Sequence, residues 1–253
     1  MSLADLVRRH DPDRYFCTLF APAAAREALF TLYAFNHELA RAREVTREPG
    51  LALIRLQWWR EVVEGAVRQH EVARPLAELI AAGVVPVAPL LSMIDMREAE
   101  AMEPPATVAV FLARMQQGPG ALAQAAGLVL GGEVLPRLGA LGAAYGVAGT
   151  LRNVPALARQ ERCALPLDLL AAAGLGVEQA IAEPALALAA VRADFAAALR
   201  LLLGRPRRVA RAVLAAALPG VLARRDLARD VPAGERGGFD RLAVLWSAFS
   251  GVV

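Results

Sequence analysis

Apolar side chains recur along this chain at three- and four-residue steps, the spacing that gathers them on one face of a helix, and signals for strands are nearly absent. Asp11-Pro12-Asp13-Arg14 is a turn and cap, and Ala21-Pro22 then opens a long helix expected to run to about Arg47, ending before Pro49-Gly50. Leu53, Leu56, Trp59, Val63 and Val67 describe a second amphipathic helix over 51–68. Helical patterns continue over 76–82, 89–100 and about 107–126, the last broken at Gly118-Pro119-Gly120. Pro136 begins a helix through Tyr145 toward Arg152, and Pro155 argues against its continuing unbroken. Helices are expected over 177–183, 184–203, 206–224 and 239–249 in the alanine- and leucine-rich last third. The pattern predicts an all-α chain, read as one domain over 1–253.

Composition narrows the function classes. At 57% hydrophobic, 253 residues can bury a sizeable core. All 28 basic residues are arginine, so the pI of 9.4 reflects a compositional bias, and no basic run interleaved with aromatics supports nucleic-acid binding. Cys17 and Cys163 lack metal or redox spacing and are expected to be reduced thiols. The charged N-terminus does not resemble a signal peptide, and prolines or glycines interrupt the stretches 79–94 and 115–132, so neither makes a convincing span. The expected location is cytoplasmic, with peripheral contact at the inner membrane left open.

Polar chemistry concentrates within the first long helix. There Asn36, Ala40 and Glu44 share one face, with Tyr33, His37 and Arg41 one step around it. Asp95, Glu98, Glu100 and Glu103 form the densest acidic group, read as a solvated face with Arg97 among it. Asp226 and Asp230, surrounded by Arg224, Arg225 and Arg229, read as ion-pairing residues, and the Trp58-Trp59 pair as core and edge packing.

Two segments carry a family resemblance. Tyr33-Ala34-Phe35 followed by Ala40-Arg41-Ala42-Arg43-Glu44 resembles the first aspartate-rich helix of the squalene/phytoene synthase family, where that frame reads Asp-Asp-x-x-Asp. Arg152 to Pro166 resembles the second motif and its following Arg-x-x-Leu-Pro, with Arg152, Val154, Arg159, Arg162, Leu165 and Pro166 retained. Leu56-Gln57-Trp58-Trp59-Arg60 is similar as well. The resemblance implies the isoprenoid (terpenoid) synthase fold, a helical bundle whose two motif helices face each other across a central cavity.

The same comparison exposes what is missing. Ala40 and Arg41 replace the first two metal-binding aspartates, Asn153 and Leu157 replace the pair in the second motif, and only Glu44 keeps a carboxylate. One unit-charge contact at ~4 Å is worth about 4 kcal/mol at an effective dielectric of 20, so loss of several ligands is decisive for a multi-metal site. The expectation is therefore a non-catalytic member with no cofactor and no metal site, similar to the branch that includes a mitochondrial complex I assembly factor. That resemblance implies a respiratory-complex protein partner and leaves open a pocket for an isoprenoid, a quinone or an anionic lipid. Tyr33, Asn36, His37, Arg41, Arg152, Asn153, Arg159 and Arg162 are its expected lining. The alternative is a prenyltransferase joining isoprenoid diphosphates, either with Mg2+ or with Arg41, Arg152, Arg159 and Arg162 holding the diphosphate.

Overall fold

The computed structural model describes residues 2–44, 48–133, 135–229 and 236–253, and the side chain of Glu44 lies outside the described set. Fifteen α-helices fill the described residues. Ser2 caps α1 (Leu3–His10), and the Asp11 carboxylate caps α2 (Pro12–Thr18) by accepting from the Arg14 amide at 3.0 Å. The long α3 (Ala23–Glu44) buries Leu29, Leu32, Phe35 and Leu39 at helical steps. In α4 (Pro49–Val63), Trp59 enters the core edge-on to Phe35, while Trp58 stays partly exposed beside it, the core-and-edge division expected for the pair. After α5 (Ala73–Ala81), α6 (Val87–Met102) packs against α4.

The break expected at Gly118-Pro119-Gly120 is instead a π-helical turn over Gln116–Gly120, joining α7 (Val108–Met115) to α8 (Ala121–Val129). Widening the helix by one residue accommodates Pro119 without ending it. The turn seats against α9 (Pro136–Arg159), where glycine is required by proximity: a Cβ on Gly142 would lie 2.4 Å from the Pro119 carbonyl oxygen, and one on Gly146 2.5 Å from its ring. Nor does Pro155 interrupt α9. A proline removes one helical donor, and here the surrounding helices hold the remaining turns in register.

Past α10 (Leu167–Ala172) and α11 (Val177–Ala182), α12 (Pro184–Leu203) lies along α9. The helix expected over 206–224 does not form as one unit. Residues 207–209 are extended and pair with the C-terminal residues, Arg207 exchanging both backbone hydrogen bonds with Val253 at 3.0 Å. A short 3-10 turn (Arg211–Val213) then leads into α13 (Leu214–Ala217) and α14 (Pro219–Ala228). Pro206 and Pro219, which lack the amide donor, bracket this irregular stretch. The chain ends with α15 (Gly238–Ser250), closed by Gly251 in the left-handed conformation at φ 73°.

Candidate functional site

The stripe of α9 that is glycine where it meets the π turn becomes a cavity wall further along. Asn153, Ala156 and Leu157 face Asn36 and Ala40 of α3 across a cavity of about 590 Å³. Beyond Arg159 the chain bends through Glu161, at φ 59°, and the Arg162 amide donates back to the Leu157 carbonyl at 3.0 Å. That reversal brings the Arg162 guanidinium to the Glu100 carboxylate of α6 at 3.2 Å.

Helices α6 and α7 supply the charge. Glu100 accepts from Arg97 at 2.6 Å as well as from Arg162. Burial disfavours its ionised form, yet Arg97, Arg162 and, less strongly, Arg114 outweigh that and hold the carboxyl below its usual range. Arg114, only 8% exposed, lines the same cavity; it donates to the Glu103 carbonyl at 2.9 Å and forms no salt bridge among the described residues. Five arginines (Arg14, Arg43, Arg97, Arg114 and Arg162) line the cavity against three glutamates, so its net character is cationic with apolar walls from Met96, Phe111 and Leu157.

The expected lining is only partly assembled. Asn36, Ala40, Asn153, Leu157 and Arg162 meet in this cavity. Tyr33 does not: it is buried in the core beneath Arg14, whose guanidinium lies 5.7 Å from its ring, and burial raises its hydroxyl well above the ordinary range. His37 stacks on His10 at 4.1 Å. Arg41 turns outward to Glu38 at 3.0 Å, and Arg159 is exposed and outside the cavity lining, so two of the four arginines expected to hold a diphosphate do not face this cavity. The helical period explains it: Arg41 lies one residue past Ala40 and is rotated by about 100° from it. Among the small residues of the two motifs, Ala40 and Ala156 line the cavity, while Ala42 is packed in the core and Ala158 lies outside the lining.

Arg152 belongs to a second cavity of about 780 Å³ on the other side of Tyr145. There the fully buried Asp226 accepts from Arg152 at 2.9 Å and from both Nη groups of Arg236, one of them at 2.9 Å. Asp13 accepts from Tyr145 Oη at 2.8 Å and from Arg236 Nε at 3.1 Å. Burial pushes the Asp226 carboxyl up to about 6, against the pull of Arg152. Asp226 is thus an ion-pairing residue as expected, but with Arg152 and Arg236. Its nearer neighbours Arg225 and Arg229 pair with Asp240, at 3.3 and 2.8 Å, and Arg224 donates to the carbonyls of Leu203 and Gly204. Asp230 lies outside the described residues.

Glu100, Arg97 and Arg114 are the site residues that sequence reading missed. The acidic group is divided rather than uniformly solvated: Asp95 and Glu98 bind Arg60 of α4 at 2.6 and 2.9 Å, whereas Glu100 turns inward. A signal existed, because Glu100 is seven residues after the buried Met93 and therefore on the apolar face of α6.

Magnesium does not fit this donor set. Among the described side chains the facing motif positions offer the amide of Asn153 and the apolar Ala40 and Leu157, with the Asn36 amide one turn before Ala40, and Glu100 is engaged by Arg97 and Arg162. No group of three metal-ligating side chains occurs among the described residues.

Comparison with known proteins places this geometry. The chain is 36% identical over 73 residues to human NADH dehydrogenase (ubiquinone) complex I, assembly factor 6, and 28% identical over 193 residues to the Drosophila melanogaster homolog of that factor. These matches span 22% and 57% of those proteins and 29% and 70% of this chain, respectively. A dehydrosqualene synthase solved with a ligand superposes with a TM-score of 0.70 at 15% identity, over 98% of this chain and 94% of the synthase, which shows the all-α isoprenoid synthase fold. The squalene/phytoene synthase model matches residues 7–233, and the chain belongs to that family.

Proposed function

We propose that this chain is a non-catalytic squalene/phytoene synthase-like protein, a single domain over 1–253, that acts as a binding or assembly factor beside the respiratory membrane. One observation carries the reading: the helices that face each other across the cavity bear Ala40, Asn153 and Leu157 where diphosphate chemistry needs carboxylates, while the inward Glu100 is bound by arginines. A site with this charge cannot gather several divalent ions around a diphosphate. It suits an amphipathic anion instead, with its apolar part along Met96, Phe111 and Leu157 and its head toward Arg114. An isoprenoid, quinone or anionic lipid meets that description.

The names of the human and fly relatives support a respiratory-complex protein partner. No helix among the described residues is long and apolar enough to cross a membrane, which supports a peripheral position. The arginine-based transferase loses its footing, because Arg41 and Arg159 face away from the cavity and Arg152 is tied to Asp226. Incubation with farnesyl diphosphate, with and without magnesium, should release no diphosphate above a heat-treated control. Affinity purification from native membranes should recover subunits of an NADH dehydrogenase. Stoichiometric diphosphate release would overturn the non-catalytic reading, and failure to enrich those subunits would overturn the assembly role.

A further inference from the structure

The described residues close with an amphipathic helix laid the wrong way round for a soluble surface. On α15 the face toward the protein carries Asp240, Val244 and Ser247, all buried. Outward point Phe239, Leu242, Leu245, Trp246 and Phe249, exposed between 44% and 76%. At about 100° per residue these five side chains fall within an arc of roughly 120°. Three aromatics and two leucines on one convex face make a patch of several hundred Å², the size that marks an interaction surface rather than scattered apolar exposure.

Charge around the patch is one-sided. Across residues 195–229 and 236–253 the acidic side chains are Asp226 and Asp240, and both are buried against arginines. Arginines 207, 208, 211 and 241 are exposed. The first three lie at the C-terminal end of α15: Arg207 pairs through its backbone with Val253, Arg208 bridges to Val252, and Arg211 Nη2 donates to the Phe249 carbonyl at 3.2 Å. Arg241 extends from α15 itself.

We propose that this face docks on an anionic lipid surface, with Phe239, Leu242, Trp246 and Phe249 entering the headgroup boundary and the arginines meeting lipid phosphates. Aromatic and leucine side chains on one face of a helix that lies in the membrane plane, with basic residues beside them, are the arrangement that binds such a surface without spanning it. A second copy of the chain fits less well, since self-pairing would bring two arginine clusters together with no exposed carboxylate among the described residues of this segment. The proposal rests on this surface alone and stands apart from the cavity and the assembly role.

The test is co-sedimentation of the full chain with phosphatidylcholine vesicles containing about one third phosphatidylglycerol, compared with pure phosphatidylcholine. The parent should bind the anionic vesicles, and the double variant Trp246→Ser/Phe249→Ser should bind them at least about tenfold more weakly. Arg207→Gln/Arg208→Gln should lose most of the preference for anionic over neutral vesicles while its apolar face persists. Far-UV circular dichroism and the urea midpoint confirm that each variant is folded. Equal binding by the parent and Trp246→Ser/Phe249→Ser, or no sedimentation of the parent with anionic vesicles, would overturn the proposal. So would light scattering that finds a dimeric parent and a monomeric Trp246→Ser/Phe249→Ser, which would assign the face to a second copy.

Discussion

Two cavities meet at a wall formed by Arg14, Tyr145, Gly149 and Asn153, and both are rich in arginine, yet they manage charge in opposite ways. In the one that holds Arg152, the carboxylates Asp13, Asp226 and Asp240 each accept from at least one arginine, so Arg152 and Arg236 are answered from within the chain. In the central cavity Glu100 answers Arg97 and Arg162 directly, while Arg114 hydrogen-bonds only a backbone carbonyl and acts on Glu100 through its charge. A tally of lining charges would rank the two as similar. Pairing separates them: one network fastens α2, α9 and α14 together through several carboxylates, and the other gathers Arg97, Arg114 and Arg162 around the inward Glu100.

The largest effect that would break this contrast is on stability. Replacing Asp226 by Ala leaves Arg152 and Arg236 with Asp13 alone to share, and removal of one member of such a network costs about 3–5 kcal/mol. Urea unfolding should show the midpoint falling accordingly. If Asp226→Ala unfolds with the parent, the second network is not structural.

The next effect is on binding. Arg114→Gln should weaken association with farnesyl diphosphate, measured calorimetrically without magnesium, by about tenfold or more, because one charge-assisted hydrogen bond is worth roughly 1.5–3 kcal/mol. Arg152→Gln should leave that affinity unchanged while lowering stability. Reversal of the two outcomes would exchange the roles of the cavities.

Smaller changes probe the helix between them. Gly142→Ala drives a Cβ against the Pro119 carbonyl and Ala123 and should cost about 1–3 kcal/mol, whereas the nearest atom to a Cβ at Gly149 is Arg152 Nη2 at 3.9 Å. Gly149→Ala should therefore stabilise α9 by roughly 0.5–1 kcal/mol through helix propensity alone. Opposite signs on one helix, read from thermal midpoints, would confirm that the π turn sets the close approach.

Much of this was legible in the chain. The period of the apolar residues marks the helices, and the two degraded motifs identify which helices face the central cavity, because Asn36, Ala40, Asn153 and Leu157 keep helical register with one another. The roles of Arg41, Arg152 and Arg159 were not legible, since retention of a residue type says nothing about its partner. Arg152 finds Asp226 and Asp13, which are 74 residues downstream and far upstream in the sequence, through tertiary packing. Pro155 and Gly118-Pro119-Gly120 misled in the same direction. Local breaker chemistry predicted interruptions that contacts between α9 and its neighbours override.

The response to pH discriminates most sharply, because the two cavities should respond with opposite signs. Asp226 has a folded-state value of about 6, above the ordinary 3.8, so the native state holds that proton more tightly than the unfolded chain does. Its contribution is therefore fully present below about 3.8 and is lost as pH rises toward 6. Glu100 is lowered from 4.5, so its contribution is present above that value and is lost as pH falls through the folded-state value. Urea midpoints measured between these limits should thus contain a component that declines with rising pH and disappears in Asp226→Asn, and a component at the acid end that disappears in Glu100→Gln. Carbon-13 carboxyl shifts would assign each titration to its residue. An Asp226 that titrates below 3.8 would mean that Arg152 and Arg236 overcome its burial, and the two networks would then share one sign.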